Sequence, residues 1–129
     1  MKINVIITAG GTSQRYGMEN KLFAPCKDSC VVVESIKPFL TFEQVSKVIV
    51  AIHPSYSDEL LNALEIAHIE DNRIALTQGG TTRTQTVKHG IRAIEDDCDY
   101  VIVHDGARPL LKQQYISDCV EAMDHCAGA

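Results

Sequence analysis

Tryptophan is absent, and aromatic residues make up only 5% of the chain. A platform on which single-stranded bases stack needs aromatic faces, so that class of function is poorly served. Positive charge is short as well: 12 Lys and Arg against 17 Asp and Glu give a net charge of −5. Non-specific nucleic-acid affinity comes chiefly from excess cations, which this composition lacks. No apolar run approaches the length of a membrane span, and the run after Lys2 is too short for a secretory signal. There is no C-x-x-C pair. The cysteines (Cys26, Cys30, Cys98, Cys119 and Cys126) are odd in number, and neither Cys26 with Cys30 nor His125 beside Cys126 completes a tetrahedral set. They read as small buried or half-buried thiols in a reducing compartment, and the protein as cytoplasmic, with no membrane or nucleic-acid partner.

What is present is an ordinary globular composition, 45% hydrophobic and 22% charged over 129 residues. Apolar runs alternate with helical patterns. Strands are expected at Ile3–Ile7, Val48–Ile52, Arg73–Thr77 and Tyr100–His104. A helix is expected over Val31 to Leu40, kinked or ended early by Pro38. A second begins at Ser57 with Leu60, Leu61, Leu64 and Ala67 as its buried stripe, and a third is capped by Thr81 or Thr82 with Val87, Ile91 and Ile94 on one face. From about Lys112, Ile116, Cys119, Val120 and Met123 repeat at helical spacing, and Ala127-Gly128-Ala129 reads as a helix end. Alternation of strand and helix demands crossovers, hence a parallel sheet with helices on both faces, in one domain over 1–129. With nothing after the last helix to cover the sheet edge, the chain is expected to be truncated or to depend on a partner.

The stretch from Thr8 to Lys21 carries the chemistry. The first strand stops at Ala9-Gly10-Gly11, a turn without side chains to hold a ligand off the backbone, and Arg15 and Lys21 add two cations. Bare N–H groups with cations suit a polyphosphate. Ligands of an open parallel sheet bind at the carboxyl ends of its strands, so two further loops count: Gly79-Gly80-Thr81-Thr82-Arg83 and Asp105-Gly106-Ala107-Arg108-Pro109. Each has a bland reading: a double glycine as a tight turn, a solvated Arg, Asp105 and Arg108 as a local ion pair, His104 and His89 as packed histidines, Thr84 to Thr86 as polar helix-start positions. All of these would have to hold together on one rim. The first loop is neither a P-loop, having no Gly-Lys-Ser/Thr, nor the dinucleotide fingerprint, since its glycines are adjacent and the third is missing.

Ala-Gly-Gly-Thr-Ser-Gln-Arg-Tyr-Gly at 9–17 with Lys21 downstream resembles the signature loop of the sugar-nucleotide nucleotidyltransferases. Gly79-Gly80-x-x-Arg83-x-x-Thr86-Val87 and Val103-His104-Asp105-Gly106-Ala107-Arg108-Pro109 sharpen this: together the motifs are similar to those of the 2-C-methyl-D-erythritol 4-phosphate cytidylyltransferases and their relatives, the ribitol 5-phosphate cytidylyltransferases. Ser13 stands where the family has its second glycine, Asn20 where it has Pro, Tyr16 where it often has Met, Thr81 where an acidic residue helps recognise cytosine, and Thr86 keeps the hydroxyl of the usual Ser.

The resemblance implies a Rossmann-like three-layer α/β/α fold and transfer of CMP from CTP to a sugar-alcohol phosphate, releasing pyrophosphate. It implies Arg15 and Lys21 on the reacting phosphate, and Ala9, Gly10, Gly11, Gly80, Thr81, Thr86 and Asp105 around the nucleotide. Asp105 and Arg108 would meet the acceptor, a Mg²⁺ would ride mainly on the CTP phosphates, and the longer protein would be a homodimer. The family's further acceptor-binding groups lie in a C-terminal part with no counterpart before residue 129, so this chain is expected to be an N-terminal portion, able to bind CTP but a poor catalyst. Two other readings stay open. One is a non-catalytic nucleotide-binding module. The other is a nucleotide-sugar glycosyltransferase, whose acidic motif Asp97-Cys98-Asp99 matches in letters but precedes the fourth strand.

Overall fold

The computed structural model describes residues 2–10, 21–95 and 97–125. Its first strand, β1 (Ile3–Ala9), is buried at every position. That explains its composition, because a strand covered on both faces has no polar side to advertise. A short hairpin follows, β2 (Pro25–Cys26) and β3 (Ser29–Cys30), then helix α1 (Val31–Ile36). Next come β4 (Val45–Ile52), α2 (Ser57–Ile66), β5 (Ile74–Gln78), α3 (Arg83–Arg92), β6 (Tyr100–Asp105) and α4 (Gln113–His125).

Four strands form one parallel sheet in the order β5-β4-β1-β6. The chain moves outward from β1 through β4 to β5, then returns to lay β6 on the other side of β1. Outward and return crossovers of the same right hand must use opposite faces. Accordingly α1, α2 and α4 share one core with Ile3, Val5, Ile7 and Ala9 of β1, through Val32, Val33, Ile36, Leu60, Leu64, Ile116, Val120 and Met123. The return helix α3 lies on the opposite face, so close that a Cβ on Gly90 would stand 2.6 Å from Ile6 Cγ2.

As expected from Pro38, the first helix ends early, at Ile36, and tightens into a 3-10 turn over Lys37–Thr41, because Pro38 has no N–H for an α-helical ladder. Other expectations need correction. Leu61 is not in the buried stripe of α2 but 53% exposed; Leu60 and Leu64 are buried, with Ala63 and Ala67 packed partly against the core. On α3 the buried positions are Thr86 and Gly90, while Ile91 is 51% exposed, since the helix turns its smallest residue to the sheet. Cys119 is exposed rather than packed; Cys26 and Cys98 are half-buried, and Cys30 is buried, with burial pushing its thiol pKa up. Cys126 and the glycine at 128 lie outside the described residues.

At the amino end of the sheet, beside β4 and β5, one side chain ties several segments together. Arg73, just before β5, donates from Nε to Asp71 Oδ1 (2.9 Å) and from Nη2 to Asp71 Oδ2 (2.6 Å). Its remaining hydrogens reach the carbonyls of Leu40 (2.6 Å), Phe42 (3.1 Å) and Val45 (3.2 Å). All five donors of the guanidinium are thereby used. Asp71 is held below its ordinary pKa by the hydrogen bonds from Arg73.

Candidate functional site

Strand order reverses between β1 and β6, so the crevice above their carboxyl ends is where a ligand belongs. The loop after β5 reaches this point by folding back over the end of β4, its Gly79 N–H donating to the Ile52 carbonyl at 2.9 Å. It then meets Gly10, the residue after β1. A Cβ on Gly79 would lie 3.0 Å from Gly10 Cα, and one on Gly10 would collide with the Thr86 hydroxyl and approach the Gly80 carbonyl to 3.1 Å. Two backbones touch here only because neither carries a side chain.

Thr86, 2% exposed, fixes this junction from within. Its Oγ accepts from the Gly80 N–H at 3.0 Å and donates to the Thr82 carbonyl at 2.9 Å. Of the two candidate caps it is Thr82 that serves, accepting from the Gln85 N–H at 3.1 Å. Gln85 in turn accepts through Oε1 from the Thr81 N–H (3.0 Å) and hydroxyl (2.6 Å). Gly80 is half-buried and Thr81 exposed, at the surface of a loop whose shape is set by Thr82, Gln85 and Thr86.

Thr8 joins this loop to the one after β6. Its Oγ lies 3.4 Å from Arg83 Nη1 and 3.5 Å from the His104 carbonyl, and its own carbonyl accepts from the Gly106 N–H at 2.8 Å. Asp105, the last residue of β6, accepts through Oδ1 from the Ala107 N–H at 2.9 Å, which orients its carboxylate. Oδ2 is 3.9 Å from Arg108 Nε, and Arg108 is 79% exposed. So loose and wet a pair contributes little and leaves the guanidinium available to a ligand. His104 packs its ring against Phe39, centroids 5.5 Å apart, with Nε2 3.0 Å from the Arg108 carbonyl. A carbonyl only accepts, so Nε2 carries the proton in this contact and the ring acts as a strut.

Arg15 and Gly11, with Ser13, Tyr16 and Asn20, lie outside the described residues. Lys21 opens a 3-10 turn, Lys21–Phe23, and is exposed. Leu22 enters the core, and Phe23 packs on Tyr56, which follows the carboxyl end of β4, with ring centroids 6.1 Å apart. The turn, and Lys21 with it, therefore stands at the same end of the sheet as the glycine junction and Asp105. It leans on α1: the Ala24 N–H donates to the Lys21 carbonyl (3.3 Å), and the Val31 N–H to the Ala24 carbonyl (3.0 Å). Beside it Glu34, 7% exposed, accepts from Ser29 Oγ (2.5 Å) and Lys37 Nζ (2.6 Å). Burial raises the Glu34 pKa, but the Lys37 and Ser29 hydrogen bonds and the nearby cations outweigh it and leave the carboxyl below its ordinary value.

Sequence reading gave no role on this rim to the Thr8 side chain, to Glu34 or to Gln85, the last named only as a polar position near a helix start. Only Gln85 had a local signal, standing three residues after the capping Thr82. The acidic letters Asp97-Cys98-Asp99 do lie at the opposite end of the sheet, where Asp99 Oδ2 accepts from the Lys2 N–H at 2.7 Å.

A glycine-lined crevice at the reversal point of a parallel sheet, with Lys21, Arg83 and Arg108 near it, defines an α/β domain of the doubly wound class. Comparison with known proteins narrows the class. The family model "IspD: 2-C-methyl-D-erythritol 4-phosphate cytidylyltransferase" matches residues 3–129, and the chain belongs to that family. The 2-C-methyl-D-erythritol 4-phosphate cytidylyltransferase of Carboxydothermus hydrogenoformans is 33% identical over 131 residues, covering 98% of this chain and 54% of that protein. The Bacillus pumilus enzyme of the same name is 34% identical over 123 residues, covering 95% and 53%. Among solved structures, the 4-diphosphocytidyl-2C-methyl-D-erythritol synthase of Anaerococcus prevotii superposes with a TM-score of 0.80 at 23% identity, over 95% of this chain and 51% of that one. The chain thus spans about half the length of the curated relatives it matches.

Proposed function

We propose that this chain is the nucleotide-binding portion of a cytidylyltransferase that moves CMP from CTP to 2-C-methyl-D-erythritol 4-phosphate, a step of non-mevalonate isoprenoid biosynthesis. The observation that carries the reading is the junction of Gly10 with Gly79, Gly80 and Thr86, built at the reversal point in a member of this family. Ala9, Gly10 and Gly11, with Gly80, Thr81 and Thr86, would line the nucleotide. In the reaction an acceptor phosphate oxygen bonds to the α-phosphorus of CTP as the bond from that phosphorus to the bridging oxygen breaks, and pyrophosphate leaves. Negative charge grows on the α-phosphate oxygens, which Arg15 and Lys21 would stabilise. Asp105, oriented by its bond to Ala107, would meet ribose or acceptor hydroxyls, and the exposed Arg108 the acceptor.

Among the described residues no group of three His, Cys, Asp or Glu could hold a metal ion. A Mg²⁺ would be held mainly through the triphosphate, as that ion commonly is at phosphate-transfer sites. When bound, that ion would neutralise the departing pyrophosphate. We place the protein in the cytoplasm and the longer enzyme in a homodimer; no helix among the described residues is long and apolar enough to cross a membrane.

Titration with the four nucleoside triphosphates and Mg²⁺, then pyrophosphate release with methylerythritol phosphate or ribitol phosphate, tests the reading. Selective CTP binding with release on methylerythritol phosphate is expected of the longer enzyme. Release on ribitol phosphate alone would reassign the acceptor. Persistent silence in the longer enzyme, with CTP still bound, would instead establish a module that binds CTP without turnover.

A further inference from the structure

Gly106 is buried, and its carbonyl lies outside the sheet and helix ladders. A buried carbonyl needs a donor. That donor is Ser35 of α1, whose Oγ is 2.8 Å from the Gly106 oxygen across 71 residues of sequence. The same hydroxyl is 2.9 Å from the Val31 carbonyl, one turn back in α1. It has one proton to give. Val31 sits at the start of a helix whose own N–H groups serve its carbonyls, so Gly106 is the acceptor in greater need. Ser35 is 0% exposed, so water does not compete for the bond.

Gly106 is therefore gripped from both sides, its N–H by the Thr8 carbonyl at 2.8 Å and its C=O by Ser35. It lies between Asp105 and Arg108. The helix that supplies Ser35 is also the one on which the Lys21 turn leans, through Ala24 and Val31. We infer that Ser35 is a positioning residue: through the Gly106 carbonyl it fixes the Asp105–Arg108 loop relative to α1, and so sets the distance between the acceptor-side groups and Lys21. This rests on the proposed function for the roles of Asp105, Arg108 and Lys21, but the mechanical coupling does not.

The test compares Ser35→Ala, which removes one oxygen and adds nothing, with Ser35→Thr, which keeps the hydroxyl. Amide hydrogen exchange on this chain reads the coupling directly. In Ser35→Ala the N–H groups of Gly106, Ala107 and Arg108 should exchange about tenfold faster, with β1 and β4 unchanged and Ser35→Thr near the parent. Uniform acceleration throughout the sheet, or none in the loop, overturns the inference whatever the function proves to be. In the longer enzyme, Ser35→Ala should raise KM for the acceptor by about tenfold and weaken CTP binding by a smaller factor, and Ser35→Thr should restore both. A loss confined to CTP affinity would also overturn it. Loop exchange that rises in an enzyme without cytidylyltransferase activity would uphold the coupling and fail the functional reading alone.

Discussion

The two ends of the sheet are built on opposite plans. At the amino end one charged side chain, Arg73, uses every donor it has on one carboxylate and three carbonyls. At the carboxyl end side chains are withheld, backbones meet through Gly10, Gly79 and Gly80, and Arg108 is left exposed beside a loosely paired Asp105. Saturated side-chain hydrogen bonding stabilises a fold but offers nothing to a ligand; glycine backbone that a ligand can approach closely and weakly paired charges do the reverse. The fold is held from one end and presents its chemistry at the other.

Breaking the amino end should cost stability and spare binding. Arg73→Ala is expected to destabilise the chain by about 3 kcal/mol, because it removes both guanidinium bonds to Asp71, leaving only the one from the main-chain N–H, and uncaps three carbonyls. Denaturant unfolding measures this, and the CTP dissociation constant of the folded fraction should not move. Breaking the carboxyl end should do the opposite. Gly10→Ala forces a methyl against the Thr86 hydroxyl and the Gly80 carbonyl, and should weaken CTP binding by roughly thirtyfold, about 2 kcal/mol, with a smaller loss of stability. Calorimetric titration decides it; unchanged affinity would detach the glycine junction from nucleotide binding.

Between the ends, Gly90→Ala probes how closely α3 lies on Ile6. Alanine favours a helix by about 1 kcal/mol over glycine, yet the contact at 2.6 Å should reverse the sign and leave a net loss of about 1 kcal/mol. The smallest effect is expected from acid. Asp71 and Glu34 both have folded-state values below their ordinary 3.8 and 4.5, so their stabilising share is present above those values and lost as pH falls through the folded ones. Unfolding free energy followed from pH 6 downward should decline, and less steeply in Glu34→Gln.

The central elements of the fold were legible because β1, β4 and β6 are dense in β-branched residues and α2 and α4 repeat an apolar spacing. The rim was legible because glycines and cations stand directly after those strands. The hairpin of β2 and β3 was not, since two-residue strands show no alternation. The rotation of α3 was misread for a physical reason: apolar periodicity points to Val87 and Ile91, but close packing on the sheet selects for smallness, and Gly90 with Thr86 wins. Arg73 reads only as the first residue of a strand, and Ser35 only as one more position of the first helix. Their roles come from carbonyls about thirty and seventy residues away, which no local pattern can announce.

The central place of β1 has a consequence in time. Its neighbour β6 pairs with it from Ile3↔Tyr100 to Thr8↔Asp105, so the first strand made waits for the last to complete its pairing. At a synthesis rate of about 5–20 residues per second, that wait lasts roughly 5–20 s on the ribosome. Closing so long a loop is also the slow part of refolding, since local contacts give no advance on it. The ligand crevice exists only once that step is done. Nucleotide binding should therefore be the final signal to recover in a refolding experiment, and nucleotide present from the start should slow unfolding more than it speeds folding.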